Sequence, residues 1–394
     1  MDEYTKRDNM DLNKVNIIIF GGDNYNTLGM IRTLGEKEIS FQAIIVRNNF
    51  LIASKSRYLK NKKVDIVTSI EDGYKILLNY GKDREDKSFI LVEGDYLTGY
   101  LDRHYDELCN KFIWNYASKQ GELSKYLNKQ AQIELVKECG IKVPASQIVN
   151  RGEIPDNIEY PIMTKAVTSE ISAWKSEVHI CNNEDELRHA FTKIKSDKII
   201  LQKYIKKKNE LCLDGYSVNG GNLQFISMAT SYTYLLDGGY SFYATITDFA
   251  DKELEAKVTE VMKKVGYEGI YCIEFIIDED GTPYFLEINF RNSGWSYAST
   301  CVDMPLPILW IESMLTQNVD AGKKKKIPAG YTFVNDIDDF KTRAGKIISY
   351  KQWFKEYKQC NCKLILGRND YKPFISYIWY RFVYMVKRKL KMKI

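Results

Sequence analysis

The stretch from Gly269 to Gly294, GIYCIEFIIDEDGTPYFLEINFRNSG, constrains this chain more than any other. Tyr271–Asp278 and Pro283–Phe290 are rich in Ile, Phe and Tyr, and the Asp280-Gly281 pair between them is a strong hairpin signal. Strand side chains alternate between faces, so Ile273, Phe275 and Ile277 are expected on one face with Leu286, Ile288 and Phe290. The opposite face carries Glu274, Glu287, Asn289 and Arg291, together with Cys272, Ile276 and Phe285. A two-residue turn at Asp280-Gly281 pairs positions counted equally outward from it, which sets Glu274 directly across from Glu287. Like charges placed opposite one another destabilise a ladder. A cation between them removes the conflict, and the oxygen donors of Glu274, Glu287 and Asn289 suit Mg²⁺ held together with substrate phosphates. A half-exposed hairpin whose polar face is simply wet is the competing reading, and on pattern alone the two stand level.

Composition narrows the rest. The 394 residues leave room for two or three domains with full cores, and 44% apolar with 28% charged residues is the balance of a soluble globular protein. Eight cysteines form no C-x-x-C pair, Cys360-x-Cys362 is too close for a zinc knuckle, and only three histidines exist. Reduced thiols in a cytoplasmic setting are expected, rather than a disulfide framework. Met1–Val15 lacks the apolar core of a signal peptide, and no apolar run reaches the length of a membrane-spanning helix. The net charge is +5, yet seven Lys or Arg and no acid lie between Lys372 and Ile394, so the remainder carries about −2. Basicity belongs to the tail, which argues against a nucleic-acid partner for the body.

Along the chain, Val15–Phe20 reads as a buried strand, followed by Gly21-Gly22-Asp23 and a helix from Asn26 through Leu34. Strands at Phe41–Val46 and at Phe89–Val92, ahead of Gly94-Asp95, complete a βαβ pattern and a parallel sheet. A dinucleotide fold is excluded: the glycines do not spell G-x-G-x-x-G, and the second strand ends in Arg47-Asn48-Asn49 without a ribose-binding acid. For the glycine turn, a tight strand-to-helix connection is favoured over an anion cradle. A helix is expected over Lys125–Cys139, closed by Gly140 and Pro144. Tyr160–Ala166 reads as a strand that places Lys165 among apolar neighbours, where an ammonium is costly without an anion. Further strands are expected at Lys198–Ile205, Leu211–Ser217 and Leu223–Thr230, with helices at Glu184–Lys195 and Glu253–Val265. Lys206-Lys207-Lys208 reads as a solvated turn, Asn292–Ser296 opens a helix running toward Met314, and Gly322–Pro328 is a polar linker.

Glu274 followed on the next strand by Glu287-Ile288-Asn289-Phe290-Arg291, an E-x-N-x-R run, resembles the metal and phosphate site of the ATP-grasp superfamily. The helix text Asn128-Lys129 through Pro144, the strand bearing Lys165, the strand Lys198–Ile205 and the opening GGDNYNTLGMIRTLGE extend the resemblance over roughly Val15–Met314, toward the carboxylate–amine ligase type. That resemblance implies an α/β and α+β architecture. It has a Rossmann-like pre-ATP-grasp domain (1–124), a two-subdomain ATP-grasp domain (125–320) and a C-terminal extension with a basic amphipathic tail (321–394). It implies that Lys129 and Lys165 meet nucleotide phosphates, that Gln202 and the backbone of Lys203, Tyr204 and Ile205 hold adenine, and that Glu210 holds ribose. Glu274, Glu287 and Asn289 are then the ligands of Mg²⁺, with Mn²⁺ as a substitute, beside ATP. Arg291 grips a carboxylate and then an acyl phosphate, to which a planar guanidinium is suited.

Two features depart from the pattern. Asn128 stands where the family usually has Asp, and Val167–Ser176 carries Thr168, Ser169, Ser172, Ala173, Trp174 and Lys175 instead of a glycine-rich flap. By analogy, Asp237-Gly238-Gly239-Tyr240 points toward the acceptor substrate. The implied activity joins a small-molecule carboxylate to an amine, with amino acids and cell-envelope or polysaccharide precursors as candidates. The alternatives are a non-catalytic ATP-binding protein and a membrane-surface interaction protein. A bicarbonate-using carboxylase ranks below them, since no biotin-carrier signature appears.

Phe374–Val386 mixes Ile, Trp, Tyr and Phe around Arg381 and runs into Lys387-Arg388-Lys389. Such a helix over 372–394 either lies on an anionic membrane surface, at the inner face of the membrane for a cytoplasmic protein, or packs on the body with a frayed basic end. Neither reading outweighs the other.

Overall fold

Three sheets organise the residues that the computed structural model describes, which are 10–48, 51–82, 84–167, 177–235 and 242–389. All but Val167 of the loop Val167–Ser176, the acceptor loop at 237–240 and the end of the basic tail lie outside them.

The first sheet is parallel, in the order β3-β2-β1-β4-β5, from β1 (Ile17–Gly22), β2 (Gln42–Val46), β3 (Val64–Val67), β4 (Ser88–Val92) and β5 (Phe112–Ile113). Its central strand is apolar without alternation because both faces are covered. Ile17 and Ile19 join one core with Leu28, Ile31 and Leu34, whereas Ile18 and Phe20 join another with Tyr74, Leu77 and Leu97. Strand β3 escapes a sequence reading for a physical reason: it is a half-exposed edge carrying Asp65, with neither a long apolar run nor a clean alternation. Strand order reverses between β1 and β4, which leaves a crevice at their carboxyl ends beside Gly21, Gly22, Glu93 and Asp95.

The second sheet is antiparallel, in the order β6-β9-β7-β8, from β6 (Ser146–Asn150), β7 (Ile162–Ala166), β8 (Ile180–Cys181) and β9 (Lys198–Lys203). Leu187 and Phe191 of the helix Glu184–Lys193 pack on it.

The third sheet runs β14-β13-β10-β11-β12-β15-β16. Its strands are β10 (Asn209–Val218), β11 (Leu223–Tyr232), β12 (Tyr243–Thr247), β13 (Gly269–Ile277), β14 (Pro283–Asn289), β15 (Thr332–Val334) and β16 (Cys362–Lys363). The helix Lys252–Val265 buries Leu254, Val258, Val261 and Met262 against it and ends at Gly266, whose φ of 66° fits the left-handed cap.

The hairpin β13–β14 reaches its expected pairing by an unexpected route. Asp278 and Thr282 close a three-residue turn, with Gly281 at φ 84°, instead of a two-residue one. That turn pairs Phe275 with Phe285, one position away from the expected Leu286. A bulge between Glu274 and Phe275 then absorbs Leu286 and returns Glu274 to Glu287. Phe285 therefore belongs with Ile273, Phe275, Ile288 and Phe290 in the core, and Leu286 is left half-buried.

Other expectations also shift. The helix expected over 125–139 is two, Glu122–Lys125 and Lys129–Glu138, because the Asn128 side chain accepts from the Gln130 and Ala131 amides and starts the second one. After Ser296 only one helical turn forms, Tyr297–Thr300. Asp303 turns to φ 58°, and Pro305, which cannot continue a helix, starts the separate helix Leu306–Thr316. The linker is not wholly solvated, since Lys324 Nζ donates to the carbonyls of Ile226 (2.5 Å) and Ser227 (3.2 Å).

Residues beyond 330 are woven into the body through β15, β16 and a buried ion pair. Arg32, fully buried on the helix Tyr25–Glu36, donates to Asp370 Oδ2 (3.0 Å) and to the carbonyls of Leu364 (2.9 Å), Ile365 (2.7 Å) and Asp370 (2.8 Å). Asp370 also accepts from Ser56 Oγ and the Arg57 amide, each at 2.8 Å. Asp370→Ala strands a buried guanidinium and is expected to cost about 3–5 kcal/mol in urea unfolding. Ser56→Ala, which removes one neutral donor, is expected to cost about 1 kcal/mol in the same measurement.

Candidate active site

Strand β14 is an edge, and its outward backbone groups need partners. Gln132 supplies them: its Nε2 donates to the Ile288 carbonyl at 2.8 Å and its Oε1 accepts from the Ile288 amide at 2.9 Å. Lys129 stands three residues earlier on the same helix and so on the same face. The clamp thereby brings Lys129 Nζ to 3.7 Å from Glu287 Oε2.

Asn289 lies between the facing glutamates, its Nδ2 3.1 Å from Glu274 Oε1 and 3.4 Å from Glu287 Oε1. Its Oδ1 accepts from Arg291 Nη2 at 3.0 Å, and Arg291 Nε donates to Asp95 Oδ1 at 3.0 Å. Arg291 is therefore not an open fork. It is preset by Asp95, which sequence reading noted only as the residue after a strand. Lys129, Glu274, Glu287, Asn289 and Arg291 line one cavity of about 320 Å³ with Tyr25, Asp95 and Trp295.

Burial and the facing Glu287 hold the Glu274 carboxyl well above the ordinary carboxylate range. The repulsion expected from the pairing is thus present in the folded chain. Among the described residues no cluster of three His, Cys, Asp or Glu side chains forms a cation site. The donor set is two carboxylates and one carboxamide, which suits Mg²⁺ completed by phosphate oxygens. Asn289 now turns its N–H groups toward the glutamates, so its oxygen becomes a donor to a cation after a half-turn of the amide.

Lys165 alternates with the buried Ile162, Thr164 and Ala166 along β7. Its ammonium is pulled down from 10.5 to about 8 by burial and then by Lys129, against the opposing pull of Glu287 and Glu210. It belongs to the same electrostatic cluster without lining the cavity. Glu210 is bound by Lys207 at 2.7 Å, and its buried Oε2 has no hydrogen-bond partner. Lys207 is thus drawn into the site, while Lys206 stays at the surface with Glu279.

Gln202, Lys203, Tyr204 and Ile205 do not line the cavity. The Lys203 and Tyr204 amides already donate to the carbonyls of Ala145 (2.7 Å) and Pro161 (3.0 Å), which leaves other groups of this segment for a ligand. Behind the cavity, Asp214 accepts from Ser293 Oγ and is pushed up to about 7 by burial, with its Oδ2 unpartnered. The strand itself is expected at Leu211–Ser217, but nothing local marks Asp214 within it as part of a site.

No known family model matches the chain. N5-carboxyaminoimidazole ribonucleotide synthase of Staphylococcus aureus (strain COL) is 26% identical over 202 residues, 49% of this chain and 52% of that protein. The chain spans about half the length of the curated relatives it matches. Among solved structures, N5-carboxyaminoimidazole synthetase from S. aureus superposes with a TM-score of 0.64 at 17% identity, covering 88% of this chain and 89% of that one. The fold is that of the ATP-grasp superfamily. The L-amino acid ligase of Bacillus licheniformis shares the ATP-grasp fold at a TM-score of 0.60 and 13% identity, over 81% and 78% of the two chains. So does the biotin carboxylase domain of Hydrogenobacter thermophilus 2-oxoglutarate carboxylase, solved with MgADP and bicarbonate, at 0.60 and 18%, over 79% and 72%.

The position of Lys165 carries a pH signature. Near pH 8 about half of these side chains are neutral, and a polyanion beside them restores the charge. Nucleotide binding at pH 8–9 is expected to take up a proton, seen as a calorimetric heat that depends on the buffer's ionisation enthalpy. The uptake is expected to vanish near pH 6.5, where the lysine is already charged, and in Lys165→Met.

Proposed function

We propose that the chain is an ATP-dependent carboxylate–amine ligase working through an acyl phosphate. The observation that carries this reading is the cavity in which Glu274 and Glu287 face each other beside Asn289, Lys129 and Arg291. In the proposed reaction a carboxylate oxygen attacks the γ-phosphorus of ATP and ADP departs. An amine then attacks the acyl carbon, loses a proton and expels phosphate, leaving an amide. No protein nucleophile is required, because the barrier is charge on the transferring phosphoryl group.

Mg²⁺ between Glu274 and Glu287 would supply several kcal/mol of charge stabilisation. Lys129 and Lys165 neutralise phosphate oxygens. Gln202 and the segment Lys203–Ile205 are assigned to adenine, and Glu210 to the ribose. Arg291, held in orientation by Asp95 and Asn289, turns its remaining N–H groups to the carboxylate and then to the acyl phosphate. The amine is assigned to the crevice at the ends of β1 and β4, beside Glu93, which can take the proton an ammonium must lose before it attacks. The proposed division is 1–124, 125–320 and 321–394, in a cytoplasmic enzyme acting on small molecules.

A second reading keeps the chemistry and changes the carboxylate to bicarbonate, with a carbamate as product. It is favoured by the relatives named for N5-carboxyaminoimidazole products and by the bicarbonate in the biotin carboxylase complex. ADP formation measured over a panel of carboxylates, bicarbonate among them, and amines separates the two. ADP release without any co-substrate dependence would overturn both. Glu287→Gln is expected to melt as the parent does and to lose roughly a hundredfold in turnover, in line with deletion of a preorganised electrostatic group.

A further inference from the structure

The helix Lys372–Lys389 has two unlike faces. Tyr377 is buried, and Phe374 and Tyr380 pack with it on the core that includes Trp310 and Ile365. Turned away from that core are Ile375, Ile378, Trp379, Phe382, Met385 and Val386, of which Trp379 is 65% exposed and Ile375 57%. At about 100° per residue these six fall within an arc of roughly 120° opposite Tyr377. Between Ile375 and Val386 no charged residue interrupts the arc. A contiguous apolar stripe of this kind on a water-facing helix marks an interaction site.

Charge selects the partner. In the sequence the stripe is interspersed with and followed by Lys372, Arg381, Lys387, Arg388, Lys389, Lys391 and Lys393, with no acidic residue between 372 and 394. The same segment of a second copy, laid stripe to stripe, would bring seven more cations and no acid to meet them. Among the described residues no helix is long and apolar enough to cross a membrane, so the element suits lying on a surface. Its opposite face is fastened to the body, which sets its axis along the protein surface with the stripe pointing outward. Trp and Phe at the middle of the stripe fit the boundary between headgroups and acyl chains.

We propose that this helix is a peripheral docking surface for anionic lipid, with the six apolar side chains in the interface and the cations over the headgroup phosphates. The inference stands apart from the ligase reading and survives its failure. The full chain, sedimented at low salt with vesicles of about 30% phosphatidylglycerol in phosphatidylcholine, is expected to pellet, and with pure phosphatidylcholine to stay in solution. Trp379→Ser combined with Phe382→Ser is expected to lower vesicle affinity at least tenfold. Lys387→Gln with Arg388→Gln is expected to lower it about thirtyfold, and high salt should act in the same direction. Trp379 and Phe382 are exposed and the second pair of substitutions only removes charge, so both melting temperatures are expected to match the parent. No pelleting with anionic vesicles, or parental binding by either variant, would overturn the proposal. So would a fall in solution mass on Trp379→Ser with Phe382→Ser, which would assign the stripe to self-association.

Discussion

Two carboxylates set against each other across a strand pair are the constraint from which the rest of the site follows. Burial and, after it, the facing Glu287 raise the Glu274 carboxyl, and the repulsion between the two opposes the hairpin that holds them. What opposes it in turn is apolar: Ile273, Phe275, Phe285, Ile288 and Phe290 are buried on the other face of the same strands. At about 1.5–3 kcal/mol for each such side chain removed from water, that face outweighs one unfavourable charge pair. The core therefore sustains a local conflict, and the conflict prepares a place where positive charge is welcome.

All three sheets contribute to that place. The first brings Asp95 from the end of β4 to Arg291, and the second brings Lys165 within electrostatic reach of Glu287. The third supplies the hairpin itself, with Gln132 standing in for a missing neighbour strand along β14. Gln132 does two jobs with one amide, since satisfying the Ile288 backbone also sets the helical face on which Lys129 approaches the glutamates. Preorganisation here is a matter of hydrogen bonds that would form with no ligand present.

Local signals were legible, and distant ones were not. The apolar run of β1, the Gly266 cap and the pairing of Glu274 with Glu287 can all be seen in the sequence, although the last arises from a longer turn and a bulge that offset one another. The same bulge moved Phe285 from the polar face to the core, which alternation alone could not foresee. Asn128 was visible as a departure but not as the cap that splits a helix. Asp95, Lys207 and Asp214 acquire meaning only from partners elsewhere in the fold, and a single chain of letters carries no record of those distances. Short strands such as β15 and β16 lack the length to display a period at all.

Arg32 and Asp370 lie 338 residues apart in sequence yet share one buried hydrogen-bonded knot. During synthesis the amino-terminal sheet is complete long before its counter-ion has left the ribosome. Until that moment Arg32 lacks the acceptors that surround it in the fold, and its guanidinium stays hydrated. A segment that emerges late thus locks one that emerged early, and a nascent chain halted short of residue 370 would present an unfinished surface to chaperones.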